Sequence, residues 1–220
     1  MNTNQQINLI KQYVKKSKKE ELKKIIEETN TTYAMDYASQ KGDLELVKYL
    51  HSIGAKCTDF SMNISSENGH LELVKYLHSI GAKCTSWAID YASLNGNLEL
   101  VKYLHSIGAG CSRDAIVYAS KNGDLEMVKY LYSIGAEYTV DAMDYASKNG
   151  NLELVKYLHF IGAKCSSDAI MYASKNGDLE MVKYLYSIGA TTTNLAINCA
   201  INNNHLNIVD FLVYTIKIKG

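Results

Sequence analysis

The sequence predicts an all-α protein, an elongated solenoid in which short antiparallel helix pairs stack one after another. The first observation behind this prediction is a nine-residue motif, Gly-x-Leu-Glu-x-Val-Lys-Tyr-Leu, that recurs every 27 residues. Its copies begin at Gly42, Gly69, Gly96, Gly123, Gly150 and Gly177, and a looser copy begins at Asn204. The second observation is that apolar residues within each copy lie three and four positions apart, which is the spacing of one helix face.

Each unit divides into two helices at its glycines. In the unit that starts at Gly123, Asp124 is suited to cap a helix and Gly135 to end it, because glycine readily adopts the left-handed backbone of a tight turn. A second helix follows a short loop, and Asp141 is its expected cap. Since neither helix can bury its apolar face alone, the units must stack on one another.

We expect a single repeat domain over residues 1–220, with lysine-rich capping helices over 1–30, repeats over 31–203 and a C-terminal capping helix over 204–220. Capped ends favour a monomer. The 23 basic and 23 acidic side chains give a formal net charge of +0, which disfavours nucleic acids and membrane surfaces as partners. No apolar run is long enough to cross a bilayer and the start lacks a secretory signal pattern, so we expect a cytoplasmic protein.

The stretch GDLELVKYLHSIGA, preceded by AxxYASxNG, closely resembles the ankyrin repeat, and the resemblance runs from about Thr32 to the C-terminus. The repeat is shorter than the usual 33 residues, and the loss falls in the loop that normally forms a β-hairpin finger. The T-P-L-H motif is also absent. The resemblance therefore implies an ankyrin-type solenoid with shortened or absent fingers. Such short, nearly identical repeats are similar to those of giant DNA viruses of amoebae, which would make the partner a host protein.

The second helix of each unit is nearly constant, whereas three positions of the first helix, four residues apart, vary between units. Residues at this spacing share a helix face, which we expect to be exposed. The resemblance implies that this face lines a concave groove that contacts protein partners. The candidate partner-binding residues are Phe60, Asn63, Trp87, Asp90, Arg113, Val117, Lys121, Asp144, Lys148, Met171 and Lys175.

Two of these candidates, Phe60 and Trp87, occupy a helix-start position that holds aspartate in the three following units. An aromatic side chain cannot cap a helix, so these residues either anchor a partner or pack sideways on the shortened loops. Acidic residues on the varied positions come early in the chain and basic ones later. The sequence thus predicts a groove with an acidic and aromatic end and a more basic end.

The repeat spacing argues against a chemical site. Four of the five cysteines share one repeat position, and four histidines share another. Equivalent residues of stacked repeats lie about 8–10 Å apart, too far for a disulfide or a shared metal ion. We expect no metal, no cofactor and no enzymatic activity, and we predict a protein-binding scaffold. The alternative is a structural or filler repeat protein without a defined partner, in which the varied positions reflect drift.

Overall fold

The computed structural model describes residues 31–219, and side chains as far as residue 215. This part of the chain contains fourteen helices and no strand. The chain divides into two compact units, the first ending at Cys111 and the second beginning at Ser112. The predicted capping helices over 1–30 lie outside the described residues.

The helices come in pairs, and each pair is one repeat. The first unit contains α1 (Thr31–Gln40), α2 (Leu44–Ser52), α3 (Asp59–Glu67), α4 (Leu71–Ser79), α5 (Ser86–Leu94) and α6 (Leu98–Ser106). The second unit contains α7 (Asp114–Asn122), α8 (Leu125–Ser133), α9 (Val140–Lys148), α10 (Leu152–Phe160), α11 (Ser167–Asn176), α12 (Leu179–Ser187), α13 (Asn194–Asn202) and α14 (Leu206–Lys219). Odd-numbered helices are the first helices of their repeats, and even-numbered helices are the second.

The second helices begin and end as the sequence predicts. The carboxylate of Asp124 accepts a hydrogen bond of 3.0 Å from the backbone N–H of Met127, which caps α8. Gly135 follows the end of α8 with a φ of 87°, a backbone conformation that favours glycine. Both predictions for this helix are therefore confirmed.

The first helices begin differently from the prediction. Asp141 is not a cap, because α9 begins at Val140 and its cap residue is Thr139. In α9 and α11 the hydroxyl-bearing residue two positions ahead of the aspartate takes the cap position, and Ser166 accepts a hydrogen bond of 2.9 Å from the N–H of Asp168. The cap residue of α7 is Arg113. The aspartates lie in the first turn, where the positive end of the helix dipole still stabilises their negative charge.

The repeats stack through small buried residues on the first helices and larger buried aliphatic residues on the second helices. Within one repeat of the second unit the fully buried apolar residues of the two helices are Ala142, Met143, Ala146, Leu154, Val155 and Leu158. The alanines allow close approach, so each first helix packs on the next one in its unit and on its own second helix. The prediction of a helical solenoid with shortened or absent β-hairpin fingers is confirmed over the described residues, which contain no strand.

Candidate protein-binding faces

Part of the predicted stripe is exposed and part is buried. Phe60 and Trp87 are 58% and 61% exposed, and the exposed charged candidates are Arg113, Lys121, Lys148 and Lys175. Val117 and Met171 are half-buried. The expectation of an exposed face is wrong at three positions, Asn63, Asp90 and Asp144, whose exposed fractions are only 8%, 4% and 9%.

Two of these buried polar residues, Asn63 and Asp144, join one repeat to the next. The hydroxyl of Thr85, which precedes α5, donates to Oδ1 of Asn63 in the preceding first helix at 2.9 Å. The hydroxyl of Ser166 lies 2.9 and 2.8 Å from the two carboxylate oxygens of Asp144. The same bond joins Thr58 to Asp36 at 3.1 Å. A polar residue at this position thus holds the start of the following first helix.

Repeats with an apolar residue at that position lack this bond. Val117 and Met171 offer no acceptor, and the hydroxyls that follow them bond locally instead. Thr139 donates to the side chain of Asp141 at 3.2 Å, and Thr193 accepts from the N–H of Ala196 at 3.3 Å. Variation at this position is therefore coupled to bonding between repeats.

Asp144 is a buried carboxyl whose pKa is shifted upward. Burial raises the pKa of Asp144 above its ordinary value, and the nearby charges of Asp168 and Asp141 add to the increase. The hydrogen bond from Ser166 acts in the opposite direction, since it stabilises the carboxylate. The site is thus better suited to a neutral acceptor than to a charged one.

The first unit presents what we call the aromatic face, formed by residues that lie four apart on three first helices. Its members are Tyr33, Tyr37, Phe60, Ile64, Trp87 and Tyr91. Tyr33 is 46% exposed, so its side chain, like those of Phe60 and Trp87, is open to solvent. The rings of Trp87 and Tyr91 meet edge to face with centroids 6.3 Å apart. The sequence prediction did not include Ile64 or the three tyrosines, although Ile64 and Tyr91 lie four residues after Phe60 and Trp87, and Tyr33 lies one 27-residue repeat before Phe60.

Phe60 and Trp87 do not occupy cap positions, which corrects the reason for singling them out. The caps of their helices are Thr58 and Thr85, and the aromatics lie in the first turn. Because their side chains are mostly exposed rather than packed under loops, they are available to a partner.

The second unit presents a different surface, which we call the banded face. Its three rows run across α7, α9 and α11: Asp114, Asp141 and Asp168; then Tyr118, Tyr145 and Tyr172; then Lys121, Lys148 and Lys175. The aspartates and lysines are exposed and the tyrosines half-buried. Lys121 and Lys148 lie over the rings of Tyr145 and Tyr172, with Nζ 6.0 and 5.4 Å from the centroids. The second unit is therefore acidic at one edge as well as basic at the other.

The repeated histidines and cysteines serve packing. His51 Nδ1 lies 3.2 Å from the hydroxyl of Tyr76 in the next second helix, and His159 lies 3.0 Å from that of Tyr184. All five cysteines are free and half-buried, and burial raises the pKa of Cys57, Cys84, Cys111 and Cys165. The described residues contain no group of three or more histidine, cysteine or acidic side chains placed to hold a metal ion.

Comparison with known proteins identifies the family. A family model of ankyrin repeats, in three copies, matches residues 62–142, 89–167 and 143–219. The chain belongs to the ankyrin-repeat family. Among solved structures it is similar to the ankyrin repeat domain of human ASB11, with 20% identity and a TM-score of 0.58, over 71% of this chain and 84% of that one. At this identity the likeness shows the fold.

A search of the curated proteins finds no significant match for this ankyrin-repeat chain. Ankyrin repeats form a non-enzymatic scaffold family and generally mediate protein–protein interaction. Within the described residues, no helix combines the length and apolar character that crossing a bilayer requires.

Proposed function

We propose that this ankyrin-repeat protein is a binding scaffold that anchors a protein partner on the aromatic face of its first unit. The observation that supports this most is the exposure of Tyr33, Phe60 and Trp87 at the same position of three adjacent repeats. Tryptophan and tyrosine are the side chains most enriched among residues that dominate interface energies. Large apolar side chains exposed at equivalent positions of adjacent repeats are typical of an interaction surface.

The nearly constant second helices fit the role of a framework that holds the first helices in place. The sequence LELVKYLHS is identical in α2, α4 and α6. These helices therefore present the same side chains in all three repeats and do not supply the differences between repeats that specificity for one partner requires. Such near-identity also favours the alternative, a filler repeat protein without a partner. The exposed aromatics favour a partner, because a filler gains nothing from apolar side chains left in water.

The finer assignments belong to the same proposal. We place the protein in the cytoplasm, as a monomer without enzymatic activity, and we propose an origin in a giant DNA virus of amoebae and a host protein as partner. Support comes from the neutral net charge, from the shortened repeats, and from a composition in which Arg113 is the sole arginine beside many lysines.

Affinity capture from amoebal lysate tests the proposal. The wild-type chain is compared with a Phe60→Ala, Trp87→Ala variant and with Phe160→Ser as a matched control. Phe160 is 84% exposed but lies at the end of the second helix α10, where most other repeats carry serine. The control therefore removes an exposed aromatic without touching the aromatic face.

A partner captured by wild type and by Phe160→Ser, but lost with the double variant, supports the proposal. A partner that all three proteins capture equally would place binding on another surface. If none captures a protein, the filler alternative is favoured. Circular dichroism of each variant separates loss of binding from loss of folding.

A further inference from the structure

The banded face combines an apolar floor with two edges of opposite charge. Its floor consists of the half-buried Tyr118, Tyr145 and Tyr172, together with Val117 and Met171. Among the described residues, none of the three aspartates and none of the three lysines lies within ion-pairing distance of an opposite charge. Asp141 accepts a hydrogen bond from Thr139, and Lys121 and Lys148 lie over tyrosine rings. No ion pair within the described residues neutralises these charges, so both edges can attract an external group of opposite charge.

The distance between the two edges corresponds to the width of one helix. In each first helix the lysine follows the aspartate by seven residues, as Lys121 follows Asp114. At a rise of 1.5 Å per residue this separates their backbones by about 10.5 Å. An α-helix with its side chains measures about 10–12 Å across, whereas a single strand is much narrower.

The repeat spacing also matches a helix that runs along the stack. Adjacent packed helices lie about 8–10 Å apart, so each charged row repeats at that interval. Seven residues of a partner helix advance about 10.5 Å, so side chains at i, i+7 and i+14 remain close to register with three repeats. When the first helices lie about 10 Å apart, the advance of seven residues in the partner helix and the spacing between repeats agree within about an ångström per repeat.

We propose that the banded face binds an amphipathic α-helix of a partner protein, with basic residues on one flank, acidic residues on the other and an apolar stripe between them. The basic flank faces the aspartate row, the acidic flank faces the lysine row, and the stripe packs on the tyrosines. This assignment rests on the proposed scaffold function but does not depend on the aromatic face.

The helix dipole alone does not account for the rows. It favours aspartate at the first turn and lysine at the last turn of every helix. Yet α3 and α5, built on the same repeat, have neither a basic residue in the last turn nor aspartate at the equivalent first-turn position, where Phe60 and Trp87 stand. The three complete bands occur together on α7, α9 and α11, as a surface for one ligand requires.

Three synthetic helical peptides of 21 residues test the proposal with the full chain. All share one leucine stripe; the first has a lysine flank and a glutamate flank, the second has lysine on both flanks, and the third has glutamate on both. Fluorescence anisotropy gives the Kd of each. We expect the mixed peptide to bind about tenfold more tightly than either uniform peptide, because each uniform peptide sets three like-charge contacts along one edge.

A Lys121→Glu, Lys148→Glu, Lys175→Glu variant makes both edges acidic and should reverse the preference in favour of the all-lysine peptide. The matched control is Lys129→Glu, Lys156→Glu, Lys183→Glu, which makes the same charge change on the second helices of the same repeats and should leave the preference unchanged. If the first variant fails to fold, the corresponding glutamines should abolish the discrimination against the all-lysine peptide.

Equal affinity for the three peptides, no measurable binding of the mixed peptide, or an unreversed preference in the variant would overturn the proposal. Sedimentation gives a further outcome. A dimer that the Lys121, Lys148 and Lys175 reversals dissociate would assign this face to a second copy of the chain and overturn the proposal as well. Because no variant alters Phe60 or Trp87, failure here leaves the capture experiment on the aromatic face unaffected.

Discussion

Asn63 and Asp144 occupy the same position in two repeats, and each accepts a hydrogen bond from the hydroxyl that begins the next first helix. An amide and a carboxylate can therefore fill one structural role. They differ in charge, and burial raises the pKa of the Asp144 carboxyl. At neutral pH the ionised form lowers the stability of the folded state relative to a neutral acceptor.

Replacing Asp144 with asparagine tests this comparison. The Asp144→Asn variant should unfold at a slightly higher urea concentration than wild type at pH 7. The folded-state pKa is raised above the unfolded value, so the penalty for ionisation disappears as the pH falls through the folded pKa. The wild-type chain should therefore recover the difference in acid, whereas an advantage of the variant that grows in acid would contradict the account.

Removing the donor should have the opposite effect. Ser166→Ala leaves the Asp144 carboxylate buried without its hydroxyl partner and should destabilise the protein by about 1–3 kcal/mol in urea unfolding. Ser166 also caps α11, so the matched control is Thr193→Ala, which removes the cap bond of α13 at a repeat where Met171 offers no acceptor to the hydroxyl. Equal losses in the two variants would show that the bond between repeats has no special weight.

The repeated thiols should react slowly. Burial raises the pKa of Cys57, Cys84, Cys111 and Cys165, so the reactive thiolate is scarcer at neutral pH than in an unfolded chain. Titration with a chromogenic disulfide should give slow phases in the folded protein and one fast phase in denaturant. A fast thiol at one of these positions in the folded protein would contradict this expectation.

At the scale of the element, helix spacing and glycine positions were sufficient to predict the helix pairs. Caps were harder to assign, because threonine or serine and aspartate are both good cap residues and stand two positions apart at the start of α9 and α11. Their order in the sequence does not determine which one keeps the extended backbone of a cap.

The middle row of the predicted face was misplaced by one residue, whereas the row that holds Lys121, Lys148 and Lys175 is exposed as expected. One residue rotates a helix by about 100°, enough to turn a side chain from solvent towards the neighbouring helix. The line through Asn63 and Asp90 faces the next repeat, whereas the line one residue later, through Ile64 and Tyr91, is partly open. Sequence periodicity gives the spacing of a face, but its orientation depends on how adjacent repeats pack.

The cap assignment predicts unequal effects of two aspartates. Asp124→Ala removes the side chain that caps α8 and should lower stability by about 1 kcal/mol. Asp141→Ala removes a first-turn charge and an exposed hydrogen bond from Thr139, and it should cost roughly half as much or less. Urea unfolding of the two variants checks the order, and a larger loss for Asp141→Ala would restore aspartate as the cap of α9.

At the scale of the whole molecule, two chemically different faces occur on the two units. Binding on the aromatic face buries apolar rings, whereas binding on the banded face depends on charge. Salt distinguishes the two binding modes. Raising the ionic strength from about 0.05 to about 0.5 M should lower the affinity for the mixed peptide several-fold and leave the affinity for a partner on the aromatic face nearly unchanged. Equal salt dependence for both ligands would argue against this division.

The most direct test of the scaffold function is the affinity of the captured partner for single variants. Trp87→Ala should weaken binding by about 2 kcal/mol, close to thirtyfold in Kd, because it removes the largest exposed ring of the aromatic face. Phe160→Ser should bind as wild type does. Unchanged affinity in Trp87→Ala, or an equal loss in Phe160→Ser, would contradict the proposed anchor.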